Sequence, residues 1–402
     1  YALKNNIPQI LIDQNTDEES IKKIIKAYKP NYVFLRNKLL KTKISPVKLD
    51  FNNYYVYHFS KKKIEINSNL ALLLSTSGST GSSKFVKLSL ENIFDNAKNI
   101  VKYLKIKKEH TTITTMLPSY SYGLSIINSH FISGAKIVIN GNNLFEKLFW
   151  KKLVLNKVTS FGGVPFQYKF LKKLKFENMN LKHLKYLTQA GGSLNKNELT
   201  YLLKICQIKK IKFIQMYGQT EASPRISYLP FSKAKNKIGS IGIPIPGGSM
   251  ALKKTKNSKI GEILYKGKNV FIGYSLGYSD LKEKINKNKI LKTGDMGWKD
   301  KDGYYFLSGR KNRFTKIAGF RINLDDIKEV LRKEHINAEL ADHNKKIIIF
   351  FVSDHTKDEI LDKIFKKFKL NKNFFRIFKI KYFPRNKRNK IDLNTLIKNE
   401  TY

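Results

Sequence analysis

Cysteine is almost absent from this 402-residue chain, where Cys206 stands alone. One thiol excludes a disulfide within the chain and any zinc site built on paired cysteines, and a reducing, cytoplasmic setting is the expectation. Long apolar runs are missing too. The best candidate, Leu70 to Leu74, is strand-sized, far short of the roughly 20 residues a membrane-spanning helix needs. The chain starts at Tyr1 with no basic stretch and apolar core behind it. The expectation is therefore no signal peptide, and an N-terminus that is either that of a fragment or that of a shortened protein. Acidic residues are scarce: 31 Asp and Glu face 77 Lys and Arg, a formal charge of +46. No internal repeat and no low-complexity linker interrupts the sequence.

Hydrophobic residues make up 41%, enough for a buried core and too many for a disordered chain. The length allows two or three domains. Most basic residues are Lys, and the chain is rich in Asn, Ile, Phe and Tyr. An AT-rich genome encodes that combination, so much of the charge reads as compositional. Only Lys363 to Lys390 is dense, and Phe and Ile interleave it as on an amphipathic face with snorkelling Lys stems. A basic field still draws phosphate-rich ligands or acidic proteins. A nucleic-acid role would rest on charge alone and is not expected.

Hydrophobic periodicity predicts a strand at Ile10 to Ile12, a helix over Asp17 to Tyr28 and a strand at Tyr32 to Leu35. Further strands are expected at Ala71 to Leu74, Ala135 to Ile139, Tyr186 to Thr188 and Phe213 to Met216. Helices are expected around Asn92 to Leu104, Pro165 to Leu174 and Lys196 to Cys206. This alternation predicts an α/β fold with mostly parallel sheets in a large domain over 1–309. Short strands broken by Gly and Pro over about 238–308 predict a small β-rich lobe within it. The segment 310–402, with helices at Asp325 to Glu334 and Asp358 to Phe368 and a strand at Lys346 to Val352, predicts a small α+β C-terminal domain.

The richest local signal is Leu74-Ser-Thr-Ser-Gly-Ser-Thr-Gly-Ser-Ser-Lys84. Small hydroxyl residues and two glycines let a backbone wrap phosphate oxygens, with Lys84 adding a cation. It is not a Walker loop, because Ser82 and Ser83 separate Gly81 from the Lys. Alone, the run is equally a flexible turn. Other segments join it in order: Ala190-Gly-Gly-Ser-Leu194, Tyr217-Gly-Gln-Thr-Glu221, Gly239 to Gly247, Gly261-Glu262 through Gly273-Tyr274, Thr293-Gly-Asp295, Gly309-Arg310, Lys316 with Gly319, and Pro384-Arg385 through Lys390-Ile391-Asp392. Together they resemble the adenylate-forming superfamily of acyl-CoA synthetases, carrier-protein adenylation domains and firefly-type luciferases. The resemblance covers essentially the whole chain. It departs where Ser83 replaces Pro and Asn389 replaces Gly, and it lacks the family's first segment.

What the resemblance implies is an AMP-forming ligase that uses ATP and Mg²⁺ to activate a small or medium carboxylic acid. The acceptor would be coenzyme A or the phosphopantetheine of an acidic acyl carrier protein. A truncated, non-catalytic nucleotide-binding protein is the reading from another class. By resemblance, Thr76, Ser77, Gly78, Ser79, Thr80, Gly81 and Lys84 hold the β- and γ-phosphates. Thr220 contacts the α-phosphate and Glu221 holds the metal. Tyr217, Gly218, Gly191, Gly192 and Ser193 form the adenine site; Asp295 and Arg310 serve the ribose. Lys390 is the implied catalytic cation, and Asn312 occupies the hinge of a mobile C-terminal domain whose second face includes Lys316 and Gly319. Tyr120, Tyr122, Gly123, Phe161, Gly163, Val164 and Gln189 are candidates for the acid pocket, with core packing an equal reading of the aromatics. Gly123 stands where amino-acid-selecting members carry an Asp, which disfavours an α-amine.

Overall fold

Asp17 starts the first helix by accepting the Ser20 backbone N–H on its carboxylate, so the helix runs Glu18–Tyr28 with two acids in its first turn. Ser89 does the same for Leu90–Leu104 through a reciprocal box with Asn92, and Asn195 for Lys196–Ile208 with Glu198. Pro165 opens Pro165–Lys173 from within the first turn. The periodic segments of the sequence become elements for these local reasons.

The computed structural model describes residues 5, 7–36, 44–49, 54–59, 65–75, 84–254, 258–283, 290–311, 314–317, 320–343, 346–368, 370–385 and 391–400. The chain divides into two compact units, 1–250 with 265–291, and 251–264 with 292–402.

In the first unit, five strands lie parallel in the spatial order Lys136–Val138, Thr111–Ile113, Ser160–Gly163, Tyr186–Gln189 and Lys212–Gly218. Arg225–Leu229 and Ser240–Pro244 continue the sheet antiparallel. A second sheet sets Leu70–Ser75 parallel to Gln9–Leu11 and antiparallel to Phe85–Ser89, which pairs in turn with Gly273–Ser275. Leu70 to Leu74 is buried throughout, which explains why its sequence is continuously apolar instead of alternating. The expected strand–helix–strand opening divides: Tyr32–Arg36 pairs antiparallel with Tyr54–His58 in a separate three-stranded sheet, and not with Gln9–Leu11. That sheet buries Leu35 and Tyr57 against Ile21 of the first helix.

The second unit contains the antiparallel pair Leu291–Lys299 and Tyr305–Arg310 and the hairpin Phe314–Ile317 with Phe320–Asn323. A three-stranded sheet follows, built from Asn337–His343, Lys346–Val352 and Phe375–Lys379. Helices Leu324–Lys333 and Lys357–Phe368 cover one face of it through Ile327, Leu331, Ile360 and Ile364, all fully buried. The fold is mixed α/β, with a large parallel-centred part and a smaller α+β part. No helix among the described residues is long and apolar enough to cross a membrane.

Candidate active site

At the C-terminal end of Lys212–Gly218 the chain makes a one-turn helix, Thr220–Ala222, and returns as Arg225–Leu229. Gly218 is required there: a Cβ would lie 1.8 Å from the Pro224 carbonyl oxygen. The turn half-buries Glu221 and buries Thr220. Thr220 Oγ1 lies 3.2 Å from Ser121 Oγ, and the Glu221 carbonyl accepts the Phe271 N–H at 2.8 Å. Tyr217 is half-buried and packs on the same cluster as Ala222 and Ile226.

Tyr274 joins this turn to Lys84. Its hydroxyl donates to Glu221 Oε1 at 2.9 Å, and Lys84 Nζ stands 4.0 Å above its ring. Burial, and then the Glu221 carboxylate, push the Tyr274 hydroxyl far up from its ordinary value, so it stays a donor. The juxtaposition follows from the sheet, since Tyr274 pairs with Val86 and Ser275 with Phe85. The sequence carries the motif Gly273-Tyr274 but no sign that its ring links Lys84 to Glu221. Thr76, Ser77, Gly78, Ser79, Thr80 and Gly81 lie outside the described residues.

Beside the turn, Gly191 and Gly192 adopt positive φ of 82° and 152°, and with Ser193 they form an exposed loop. A Cβ on Gly191 would lie 2.5 Å from the Tyr120 hydroxyl oxygen. Gln189 is buried and donates to the Gly192 carbonyl at 2.7 Å. Val164 caps Pro165–Lys173, its N–H donating to Gln167 Oε1, and Gly163 is filled from outside by Tyr168.

Of the neighbouring pocket candidates Tyr120, Tyr122 and Gly123, only Tyr120 lies in a loop. Ser121–Ile132 is a helix, and a Cβ on its Gly123 would meet the Leu117 carbonyl oxygen at 2.4 Å. Helix spacing was hidden because this stretch is mostly small, hydroxyl and apolar residues without a polar face. Tyr122 is buried, donates to the Thr188 carbonyl at 2.8 Å and carries the Arg225 guanidinium 4.2 Å over its ring. Phe161 is buried among Phe149, Trp150 and Tyr168. Its partners are those of a core aromatic.

In the second unit, Asp295 is buried and pairs with Arg310, Nε to Oδ1 at 3.0 Å, from directly opposite positions of two antiparallel strands. Arg310 N–H donates to Asp325 Oδ2 at 3.2 Å. Lys390, Asn312 and Gly319 lie outside the described residues; Lys316 sits in the hairpin Phe314–Ile317.

The family described as AMP-binding enzyme matches residues 2–275. Among curated proteins, the chain is 29% identical over 280 residues to probable 4-coumarate–CoA ligase 1 of Dictyostelium discoideum, covering 67% of this chain and 50% of that protein. It is 26% identical to a long-chain-fatty-acid–CoA ligase of Bacillus subtilis over 69% of this chain and 50% of the other. The chain thus spans about half the length of the curated relatives it matches. Among solved structures, O-succinylbenzoate coenzyme A synthetase from Bacillus subtilis in complex with AMP is similar at a TM-score of 0.66 and 22% identity, over 82% of this chain and 70% of that one. ATP-bound MatB from Rhodopseudomonas palustris is similar at a TM-score of 0.64 and 20% identity, over 85% and 70%. Both share the fold.

Proposed function

Because the chain belongs to the AMP-binding enzyme family, we propose that it activates a carboxylic acid with ATP, forming an acyl-adenylate and pyrophosphate, and passes the acyl group to coenzyme A. The observation that carries this reading is the Lys84–Tyr274–Glu221 arrangement, which gathers a cation and an acid around one rigid ring. A phosphate site needs the first and its metal the second.

Glu221 fits Mg²⁺. Its half-buried carboxylate offers hard oxygens, Tyr274 fixes one of them, and Mg²⁺ commonly takes its other ligands from phosphates and water. Bound there, Mg²⁺ supplies charge neutralisation at the phosphates. Lys84 holds the terminal phosphates, and Thr220 donates to the α-phosphate, its own hydroxyl oriented by Ser121. Tyr217 stacks on adenine, and Asp295 accepts from the ribose hydroxyls. Lys390 bridges the attacking carboxylate and the α-phosphate, where its attraction grows as charge develops. We place the functional boundary at 309/310, with Asn312 as the pivot between adenylation and thioester formation. Coenzyme A is preferred over a carrier protein because the relatives matched above are named CoA ligases.

The test is carboxylate-dependent exchange of labelled pyrophosphate into ATP across a panel of acids, followed by thioester formation with coenzyme A. Exchange is expected with some acid, reduced on the order of 100-fold or more in Lys390→Ala. Asn312→Pro, which fixes the backbone, should spare exchange and stop thioester formation. Folded protein that binds ATP but exchanges with no acid would overturn the reading in favour of a nucleotide-binding protein.

A further inference from the structure

Arg225 is 2% exposed, and its Nε has no hydrogen-bond partner. No ion pair with a carboxylate is found for it among the described residues. It lines a cavity of about 10 Å³ whose other polar walls are neutral hydroxyls, among them Thr112, Ser125, Ser160 and Tyr186, together with His130. None of these supplies a counter-charge. His130 Nδ1 lies 2.9 Å from the Ile126 carbonyl, which only accepts, so that nitrogen carries the proton. Its Nε2 then accepts from Tyr186, and burial lowers the imidazole to about 4. The Tyr103 hydroxyl, which also faces Arg225, is pushed up to about 12 by burial and is neutral. A buried guanidinium facing one aromatic ring and neutral hydroxyls is among the costliest arrangements a core can hold. Its planar fork matches a carboxylate.

The position matters as much as the charge. Consecutive residues of one helix start reach two points: Ser121 touches Thr220, and Tyr122 lies under Arg225. Thr220 is the threonine assigned above to the α-phosphate, so Arg225 lies a short span from the reacting end of the acid. Phe161 and Gly162 border the same cavity. We propose that Arg225 recognises a second carboxylate on the substrate, remote from the one that is adenylated, so that the enzyme selects short dicarboxylic acids over monocarboxylic acids. This rests on the acid-activating reading above. At about 10 Å³ the cavity holds roughly one water. The carboxylate displaces it, and the unbranched Met216 on the wall, whose sulfur accepts from the Tyr103 hydroxyl at 2.9 Å, moves to admit it.

The experiment compares chain-matched acids (malonate, succinate and glutarate against propionate, butyrate and valerate) in pyrophosphate exchange and in thermal unfolding. It uses the full chain, Arg225→Met, and Arg225→Lys should the first fail to fold. The expected result is a preference for one dicarboxylate on the order of 100-fold in kcat/KM. The variant should lose that preference while its rate with the matched monocarboxylate is kept or raised. Equal use of both acid classes by the unsubstituted protein overturns the proposal. So does an equal fall for both classes in a folded variant, which would give Arg225 a structural role only. If no acid supports exchange, the ligase reading fails and unfolding decides the site. A dicarboxylate that raises the Tm of the unsubstituted protein and not of the variant supports Arg225 as an anion receptor; no selective shift overturns it.

Discussion

The turn around Glu221 and the layer around Arg225 belong to the same unit and treat charge in opposite ways. At the turn, Lys84 is exposed and Glu221 half-buried, each in contact with the polarisable ring or hydroxyl of Tyr274. Charges so placed change stability little, since water and salt screen them. In the deeper layer Arg225 is buried, His130 is kept neutral, and hydroxyls line the small cavity beside them. There a single group can shift stability by several kcal/mol. The contrast separates two kinds of evidence. An exposed charge suggests a role only when a recognisable run surrounds it, whereas a buried charge without a counter-charge requires an explanation by itself.

The strongest way to break the comparison is to disturb the turn through its backbone. Gly218→Ala forces a methyl group to within 1.8 Å of the Pro224 carbonyl oxygen, a contact that no side-chain motion relieves. Loss of at least about 3 kcal/mol is expected in urea unfolding, together with pyrophosphate exchange. If the variant keeps its stability and loses only exchange, the turn is softer than its geometry indicates, and the two regions differ less than argued.

The same contrast explains what could be read in advance. Glu221, Thr220 and Lys84 sit in short distinctive runs, the first two in a tight turn that constrains residue type locally, so a motif exposes them. The helices were legible from their apolar spacing, although Ser89 starts Leu90–Leu104 ahead of the expected Asn92. Arg225 was not legible. It is one basic residue among 77, and its environment is assembled from Leu90–Leu104, Ser121–Ile132 and four strands distant in sequence. Tyr274 falls within a motif, yet its contact with Glu221 depends on antiparallel pairing with Phe85–Ser89. Pairing of Tyr32–Arg36 with Tyr54–His58 was hidden too, because an alternating strand does not name its partner.

A second test sharpens the contrast through pH. Burial is the main cause that lowers His130 from 6.5 to about 4; His110 adds to it, and the Ile126 carbonyl opposes it. The unfolded chain therefore binds a proton that the folded chain refuses. The stability this represents is fully present above the unfolded value, falls as pH drops below about 6.5, and is gone near pH 4. At 1.36 kcal/mol per unit it amounts to about 3 kcal/mol. His130→Gln, which cannot titrate, should flatten the curve of unfolding free energy across that window. An unchanged slope would mean that the imidazole is not sealed from water.

The smallest expected effects make the finest distinction, because one atom is removed from each region. Tyr274→Phe deletes the hydroxyl that donates to Glu221 on a side chain 40% exposed. Stability should move by less than about 0.5 kcal/mol. Exchange should fall roughly tenfold, as a carboxylate left unoriented holds its ligand less well. Tyr122→Phe deletes a buried hydroxyl that donates to the Thr188 carbonyl, which still accepts from Tyr168 at 2.7 Å. The carbonyl is not orphaned, so the cost should be about 1 kcal/mol in unfolding, with the ring beneath Arg225 intact and exchange little changed. Opposite splits in the two variants would establish that the turn is built for a ligand and the layer for the fold that positions Arg225. A rate loss in Tyr122→Phe as large as in Tyr274→Phe would instead place the Tyr122 hydroxyl in contact with the acid itself.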